Sequence, residues 1–130
     1  HKQAMDVLTS VLNAVKTLYP QNRFSKMTVE LMSDDELLEV NKKHLNHDYY
    51  TDIITFDYSR GKVISGELFI SIDRVKENAQ NHNSSLLDEQ VRVVAHGILH
   101  LLGFGDKSEA EQKVMRAKED EVIKWLSNES

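Results

Sequence analysis

The stretch His96-Gly97-Ile98-Leu99-His100-Leu101-Leu102-Gly103-Phe104-Gly105-Asp106 constrains this chain more than any other. Two histidines stand four residues apart in an apolar run, so in a helix they share one face, a turn apart. Gly103 predicts the end of that helix, because glycine accepts left-handed backbone after the last turn. The chain can then fold back and carry Asp106 toward the two imidazoles. Imidazole nitrogens and a carboxylate oxygen hold Zn2+ at about 2.0–2.2 Å. Three protein ligands with a fourth position left to water is the pattern of a catalytic zinc rather than a structural one. A His-x-x-x-His pair alone carries little weight, and the glycine and aspartate that follow are what raise it. At about 100° per residue, Leu87, Val91, Val94, Ile98 and Leu101 fall on one side of this helix. His96, His100 and Glu89 fall roughly opposite, so the histidines are expected to face a cleft or solvent.

A length of 130 residues predicts a single domain over residues 1–130. Hydrophobic residues at 40% and charged residues at 28% are ordinary for a globular chain with a real core. There is no cysteine, which excludes disulfides and thiolate metal sites and fits the cytosol. A transition metal must therefore be held by His, Asp or Glu. The net charge of -5 argues against a general electrostatic grip on nucleic acid, though not against a local basic strip. Candidate strips are Lys42, Lys43 and His44, then Arg60 with Lys62, then Lys113, Arg116 and Lys118. The last set reads as a solvated face. No secretory signal is visible at the amino end, and Val93 to Phe104 is too short to span a bilayer, so no membrane partner is expected. His1 is set aside as a residue that an expression tag can leave.

Along the chain, Leu8, Val11, Leu12, Val15 and Leu18 predict an amphipathic helix from Lys2 to Tyr19, closed by Pro20. Met27, Val29 and Leu31 alternate with polar residues and predict a strand. Ser33 and Glu36 form a capping box that opens a short helix through Leu37, Leu38 and Val40. Lys42 to Tyr50 reads as a loop. Thr51 to Tyr58 reads as a strand, Ser59 to Lys62 as a turn, and Val63 to Ile72 as a returning antiparallel strand with Leu68, Ile70 and Ile72 on one face. Gly66 marks a bulge or a close approach of another backbone. Asp73 is expected to cap a helix to about Asn81, and Ser85 the long helix that carries the histidines. Ser108 and Glu111 form a second capping box, opening a last helix to about Leu126 with Met115, Val122, Trp125 and Leu126 inward. The order α, β, α, β, β, α, α, α predicts an α+β fold, a small mixed sheet with helices packed over it.

Zinc at such a site suits hydrolysis of a phosphodiester or of an amide. Zinc peptidases of the His-Glu-x-x-His kind keep a glutamate general base directly after the first histidine. Gly97 stands there and can move no proton, so a peptidase would need Glu67, Asp52 or Glu89 to fold in. A phosphodiester needs less, since an RNA 2′-hydroxyl can act as nucleophile.

The same residues resemble the YbeY family of metal-dependent endoribonucleases, whose signature is His-Gly-x-Leu-His-Leu-x-Gly-Tyr-Asp-His. Thr51-Asp52-Ile53-Ile54-Thr55-Phe56 is similar to the family's Thr-Asp-Val-Leu-Ser-Phe, and Gly66-Glu67-Leu68-Phe69-Ile70-Ser71 to its Gly-Asp-Ile-x-Ile-Ser. Asn41 falls where the family keeps an asparagine. The resemblance implies a bacterial cytoplasmic protein with a zinc-protease-like metal helix and one Zn2+ held by His96, His100 and Asp106, through which catalysis runs. It implies a single-strand-specific endoribonuclease in late 16S rRNA maturation and ribosome quality control. Implied partners are ribosomal RNA and the small subunit, with ribosomal proteins or assembly GTPases. Two positions depart from the pattern. Asp106 replaces the third histidine, and its added negative charge makes a bound zinc a weaker Lewis acid. Leu45 stands where the family has an arginine thought to serve the RNA chemistry. Lys42, Lys43, His47 and Arg60 are the candidates to contact RNA in its place. The alternatives are a non-catalytic ribosome-assembly factor stabilised by its metal and, third, a zinc metallopeptidase.

Overall fold

A computed structural model describes residues 2–129, and His1 lies outside them. The elements are α1 (Lys2–Leu18), β1 (Arg23–Met32), α2 (Asp34–Leu45), β2 (Ile53–Asp57), β3 (Val63–Ser71), α3 (Ile72–Asn81), α4 (Leu86–Leu101) and α5 (Glu109–Glu129). Their order is the one the sequence predicts. The sheet runs β1-β3-β2, with β3 parallel to β1 and antiparallel to β2. This is the mixed α+β arrangement.

Period-two alternation gives each face of the sheet its own cover. Ile64, Leu68 and Ile70 of β3 point into the main core with Val11 and Val15 of α1 and Val94 and Ile98 of α4. On the other face Phe56 meets Phe69 edge-on at 5.5 Å, and His44 of α2 meets Phe56 at 6.0 Å. Packing against α1, α3, α5, β2 and β3, α4 is the central element.

Two glycines set how closely the layers approach. A Cβ on Gly97 would lie 2.8 Å from Ile53 Cδ1 and 2.9 Å from Leu68 Cδ2, so α4 rests on the sheet where it has no side chain. A Cβ on Gly66 would lie 2.6 Å from the Phe56 carbonyl oxygen, a backbone atom that cannot swing aside. This is the close approach expected at Gly66.

Caps explain most boundaries. Ser33 and Glu36 make the reciprocal box at α2 (3.1 and 2.9 Å), and Ser108 and Glu111 repeat it before α5 (3.1 and 3.2 Å). Ser85 caps α4. Four expectations are corrected. Helix α2 continues through Lys42, Lys43, His44 and Leu45 and stops at Asn46, which takes the left-handed conformation at φ 61°. Ser71, not Asp73, caps α3, and Ile72 begins that helix instead of extending the strand. Asp73 instead accepts the Asp34 amide at 2.8 Å. Leu87 is exposed, not part of the inward face of α4, whereas Glu89 is buried. Leu87 lies in the first turn of α4, and His82, which ends α3, holds Glu89. No helix among the described residues is long and apolar enough to cross a membrane.

Replacing Gly66 by alanine should cost about 1–3 kcal/mol of stability through overpacking against Phe56. Urea titration followed by circular dichroism measures it, and an unchanged midpoint would refute the close approach.

Candidate metal centre

The site is assembled by the end of one helix. Beyond α4, the Gly103 amide donates to the His100 carbonyl (3.0 Å) and the Phe104 amide to the Leu99 carbonyl (3.0 Å), with Gly103 at φ 107°. Only a residue without a Cβ adopts that turn at low cost. The turn places the Phe104 carbonyl against His100 and returns Asp106 to the histidine face.

His96, His100 and Asp106 converge there. His96 Nε2 lies 3.0 Å from His100 Nε2, and Asp106 Oδ2 lies 3.2 Å from the first and 3.4 Å from the second. The far nitrogens fix the tautomers. His96 Nδ1 sits 2.7 Å from Glu119 Oε2, and His100 Nδ1 sits 2.9 Å from the Phe104 carbonyl oxygen. Ionised carboxylate and carbonyl oxygens only accept, so both Nδ1 atoms must donate. Each neutral ring then turns a bare Nε2 lone pair inward, beside a carboxylate oxygen. Three acceptors at that distance repel unless a metal cation or a ring proton stands among them. Their spacing fits one: a tetrahedral ion with arms of about 2.0–2.1 Å has ligand edges of about 3.3–3.4 Å. The donor set of two imidazoles and one carboxylate suits zinc and similar ions. All three side chains are half-buried, and the cluster could hold a metal ion.

Glu119 of α5 was not legible as part of the site. It is buried and joins His96 to Arg92, whose Nη1 donates to Glu119 Oε1 at 2.8 Å while Nη2 donates to Asp120 Oδ1 at 2.8 Å. A carboxylate on the outer nitrogen of a metal-facing histidine orients the ring and raises its basicity. Burial opposes the charge on His96, but the Glu119 hydrogen bond and charge, with the charges of Asp106 and Asp52, outweigh it and raise its pKa.

Two clefts meet at the cluster. One is lined by Asn41, Leu45, His47, Tyr49, Thr51 and Thr55 and ends at His96, His100 and Asp106. Buried Asn41 shapes its wall, its side chain donating through Nδ2 to the Tyr49 carbonyl at 2.8 Å and its backbone carbonyl accepting the His47 amide at 3.1 Å. The other cleft is lined by Asn78, His82, Glu89, Arg92, Gln112 and Arg116 on the far side of His96 and Asp106. Asp52 lines both.

Of the four residues expected to contact RNA, His47 alone lines a cleft, stacked on Tyr49 with ring centres 5.0 Å apart. Lys42 is paired with Glu39 and Asp48, each at 3.7 Å, and neither it nor exposed Lys43 and Arg60 line either cleft. Arg116 is exposed, as expected of a solvated face, yet it also lines the second cleft. The alternative bases separate too. Glu67 accepts from the Tyr58 hydroxyl at 2.8 Å, away from the cluster, and Glu89 is held by His82. The position after His96 is glycine, and a side chain there would have to displace the ends of Ile53 and Leu68, which lie 2.8 Å and 2.9 Å from where its Cβ would be.

Fold and site together define a class: a small α+β protein whose central helix and following turn present a His, His, Asp cation site to two open clefts. The family model for endoribonuclease YbeY matches residues 1–127. The endoribonuclease YbeY of Cytophaga hutchinsonii is 51% identical over 110 residues, 82% of this chain and 76% of that protein. The one from Azobacteroides pseudotrichonymphae is 49% identical over 104 residues, 80% of this chain and 75% of that protein. A solution structure of a protein from Thermotoga maritima superposes with a TM-score of 0.63 at 32% identity, covering 98% of this chain and 86% of that one. The chain belongs to the YbeY endoribonuclease family.

Glu119→Gln should weaken zinc binding by about 10–100-fold, read by competition with a chromophoric chelator, while Asp120→Asn should not. In chelator, His96 gives a pH dependence. Its charged form has Glu119 in the fold and lacks it when unfolded. That stability is complete below the unfolded value of about 6.5 and is lost as pH rises through the higher folded value. Urea midpoints should therefore fall across this range in the parent protein and stay flatter in Glu119→Gln.

Proposed function

We propose that this chain, as a single domain over residues 1–130, is a zinc-dependent endoribonuclease. Its substrate is single-stranded RNA of the small-subunit (16S) precursor, cleaved late in maturation in the cytoplasm. The observation that carries the reading is the convergence of His96 Nε2, His100 Nε2 and Asp106 Oδ2 where two clefts meet. An ion held by those three side chains supplies Lewis acidity toward a phosphoryl oxygen and lowers the pKa of water.

The chain's own residues do the rest. Glu119 and the Phe104 carbonyl keep both rings turned with Nε2 inward. Asp52, at the junction of the clefts, is the carboxylate placed to take a proton from an attacking hydroxyl. Tyr49 and His47 offer stacked rings to an unpaired base, a mode of recognition that works without a basic groove. Lys42, Lys43 and Arg60 lie outside the clefts and are left for phosphates of a longer strand.

A second reading rests on Leu45. It lines the first cleft, 39% exposed, where the family resemblance implies an arginine. Leucine cannot pair with a phosphate. In this reading the metal pins the turn after Gly103 to α4, and the protein serves ribosome assembly without cutting, against ribosomal proteins or assembly GTPases. Gly97, which can move no proton where a metallopeptidase keeps its glutamate, disfavours a peptidase.

Purified protein should cleave a single-stranded 16S precursor fragment, lose the activity in chelator and regain it with zinc. His100→Ala should lower the rate at least about a hundredfold, the scale of losing several kcal/mol of charge stabilisation. Undiminished cleavage by His100→Ala would refute the mechanism. An inert zinc-loaded parent, together with rescue of ribosome maturation by His100→Ala, would establish the second reading.

A further inference from the structure

The second cleft, about 370 Å³, has chemistry that the metal cluster does not use. Glu89 lines it while only 6% exposed. Its Oε1 accepts from His82 Nδ1 at 3.1 Å and from Ser84 Oγ at 3.5 Å. Its Oε2 accepts from nothing among the described residues. Among the described residues only Gln90 Oε1 is a buried side-chain polar atom without a partner, so Glu89 Oε2 still reaches water, and a ligand N–H entering the cleft can take that water's place. The cations nearby are unequal. Arg92 is tied to Glu119 and Asp120, whereas Arg116 has no ion pair among the described residues. The cleft also offers the Asn78 amide and Gln112, whose Nε2 donates to the Asp106 carbonyl at 3.1 Å. Val93 and buried Met115 give it an apolar side.

Four carboxylates line this space, Glu89, Glu119, Asp52 and Asp106, so a second phosphate is poorly suited to it. A neutral ring with N–H donors suits it well. Among RNA bases, guanine alone presents two adjacent donors, N1–H and N2–H, to one carboxylate. Adenine and cytosine set a lone pair beside their single amine, which a carboxylate repels. Uracil sets one N–H between two carbonyls. Guanine O6 and N7 in turn accept from an arginine or an amide. On the proposed nuclease reading, on which this inference rests, a strand with its phosphate at His96 and Asp106 has its neighbouring nucleotide at this cleft. We propose that the cleft between α3, α4 and α5 is a guanine-reading subsite, with Glu89 on N1–H and N2–H and Arg116 on the O6 and N7 edge.

The test measures binding without cleavage. The zinc-loaded protein is titrated with 5′-GMP, AMP, CMP and UMP by calorimetry and by NMR of the side-chain amides. GMP should bind at least about tenfold more tightly than the others and shift the Asn78 and Gln112 amide signals. Folded Glu89→Gln should bring the four nucleotides to parity. Should that variant unfold by circular dichroism, exposed Arg116→Ala serves instead and should weaken GMP severalfold. Equal affinities, unmoved Asn78 and Gln112 signals, or unchanged GMP binding in folded Glu89→Gln or in Arg116→Ala would each overturn the subsite. Cleavage of 16S fragments with no preference for a flanking guanine would overturn it while leaving the nuclease reading intact. Selective GMP binding by a protein that cuts no RNA would uphold the subsite and sink the nuclease.

Discussion

The layer contact at Gly97 is the constraint that everything else obeys. The helix carrying both histidines lies so close to β2 and β3 that Ile53 and Leu68 occupy the space a side chain would need. That contact fixes the height and rotation of α4 above the sheet. Leu68 and Ile98 fill the core beneath it, and His96 and His100 emerge on the flank facing the clefts. A helix held further out would carry the same residues but lose its defined rotation, and interiors packed like organic crystals tolerate little of that freedom. The same contact decides which chemistry the helix can host. The position used by metallopeptidases for their general base is Gly97 here, which can move no proton, so any proton acceptor must come from another element. Asp52, just before β2, is the carboxylate that the fold delivers to the junction of the clefts.

Electrostatics holds the site from behind. Arg92, Glu119 and His96 form a chain across α4 and α5, with donor–acceptor distances of 2.8 and 2.7 Å. Glu119 alone would be a nearly buried charge without compensation; between a guanidinium and an imidazole it is satisfied on both oxygens. Its reach ties the packing of α5 to the orientation of one ring. The Gly103 turn does the corresponding task for His100 with a backbone carbonyl, which carries no net charge. The two rings therefore differ in support: an anion stands behind His96 and a backbone dipole behind His100.

Much of this was legible in the chain. Period and spacing located α4, its glycine stop and the three convergent side chains, because local rules govern all of them. The capping boxes at Ser33 and Ser108 were legible for the same reason. Glu119 was not, since it lies on a helix of ordinary charged pattern and gains its role only by tertiary contact. A glutamate three turns beyond the Ser108 cap, four residues after buried Met115, was the only signal. Leu87 misled because an apolar residue in a first turn satisfies the period whether or not anything packs on it. Helix α2 ran longer than expected because Lys42, Lys43 and His44 sit at a helix C-terminus, where cations are favoured.

A net charge of -5 and a nucleic acid substrate look contradictory, and the clefts reconcile them. Two of the nearby cations are already neutralised, Lys42 by Glu39 and Asp48 and Arg92 by Glu119 and Asp120. A protein built this way has little nonspecific grip on a duplex, whose regular backbone is held chiefly by counterion release. What it offers instead are an ion position at the bottom of two clefts, a stacked pair of rings at Tyr49 and His47, and buried hydrogen-bonding groups. Each of these needs a base or phosphate that is free to turn away from a helix. On the proposed nuclease reading, the acidic surface and the sparse cations suit unpaired RNA better than a duplex, through the same features that surround the metal centre.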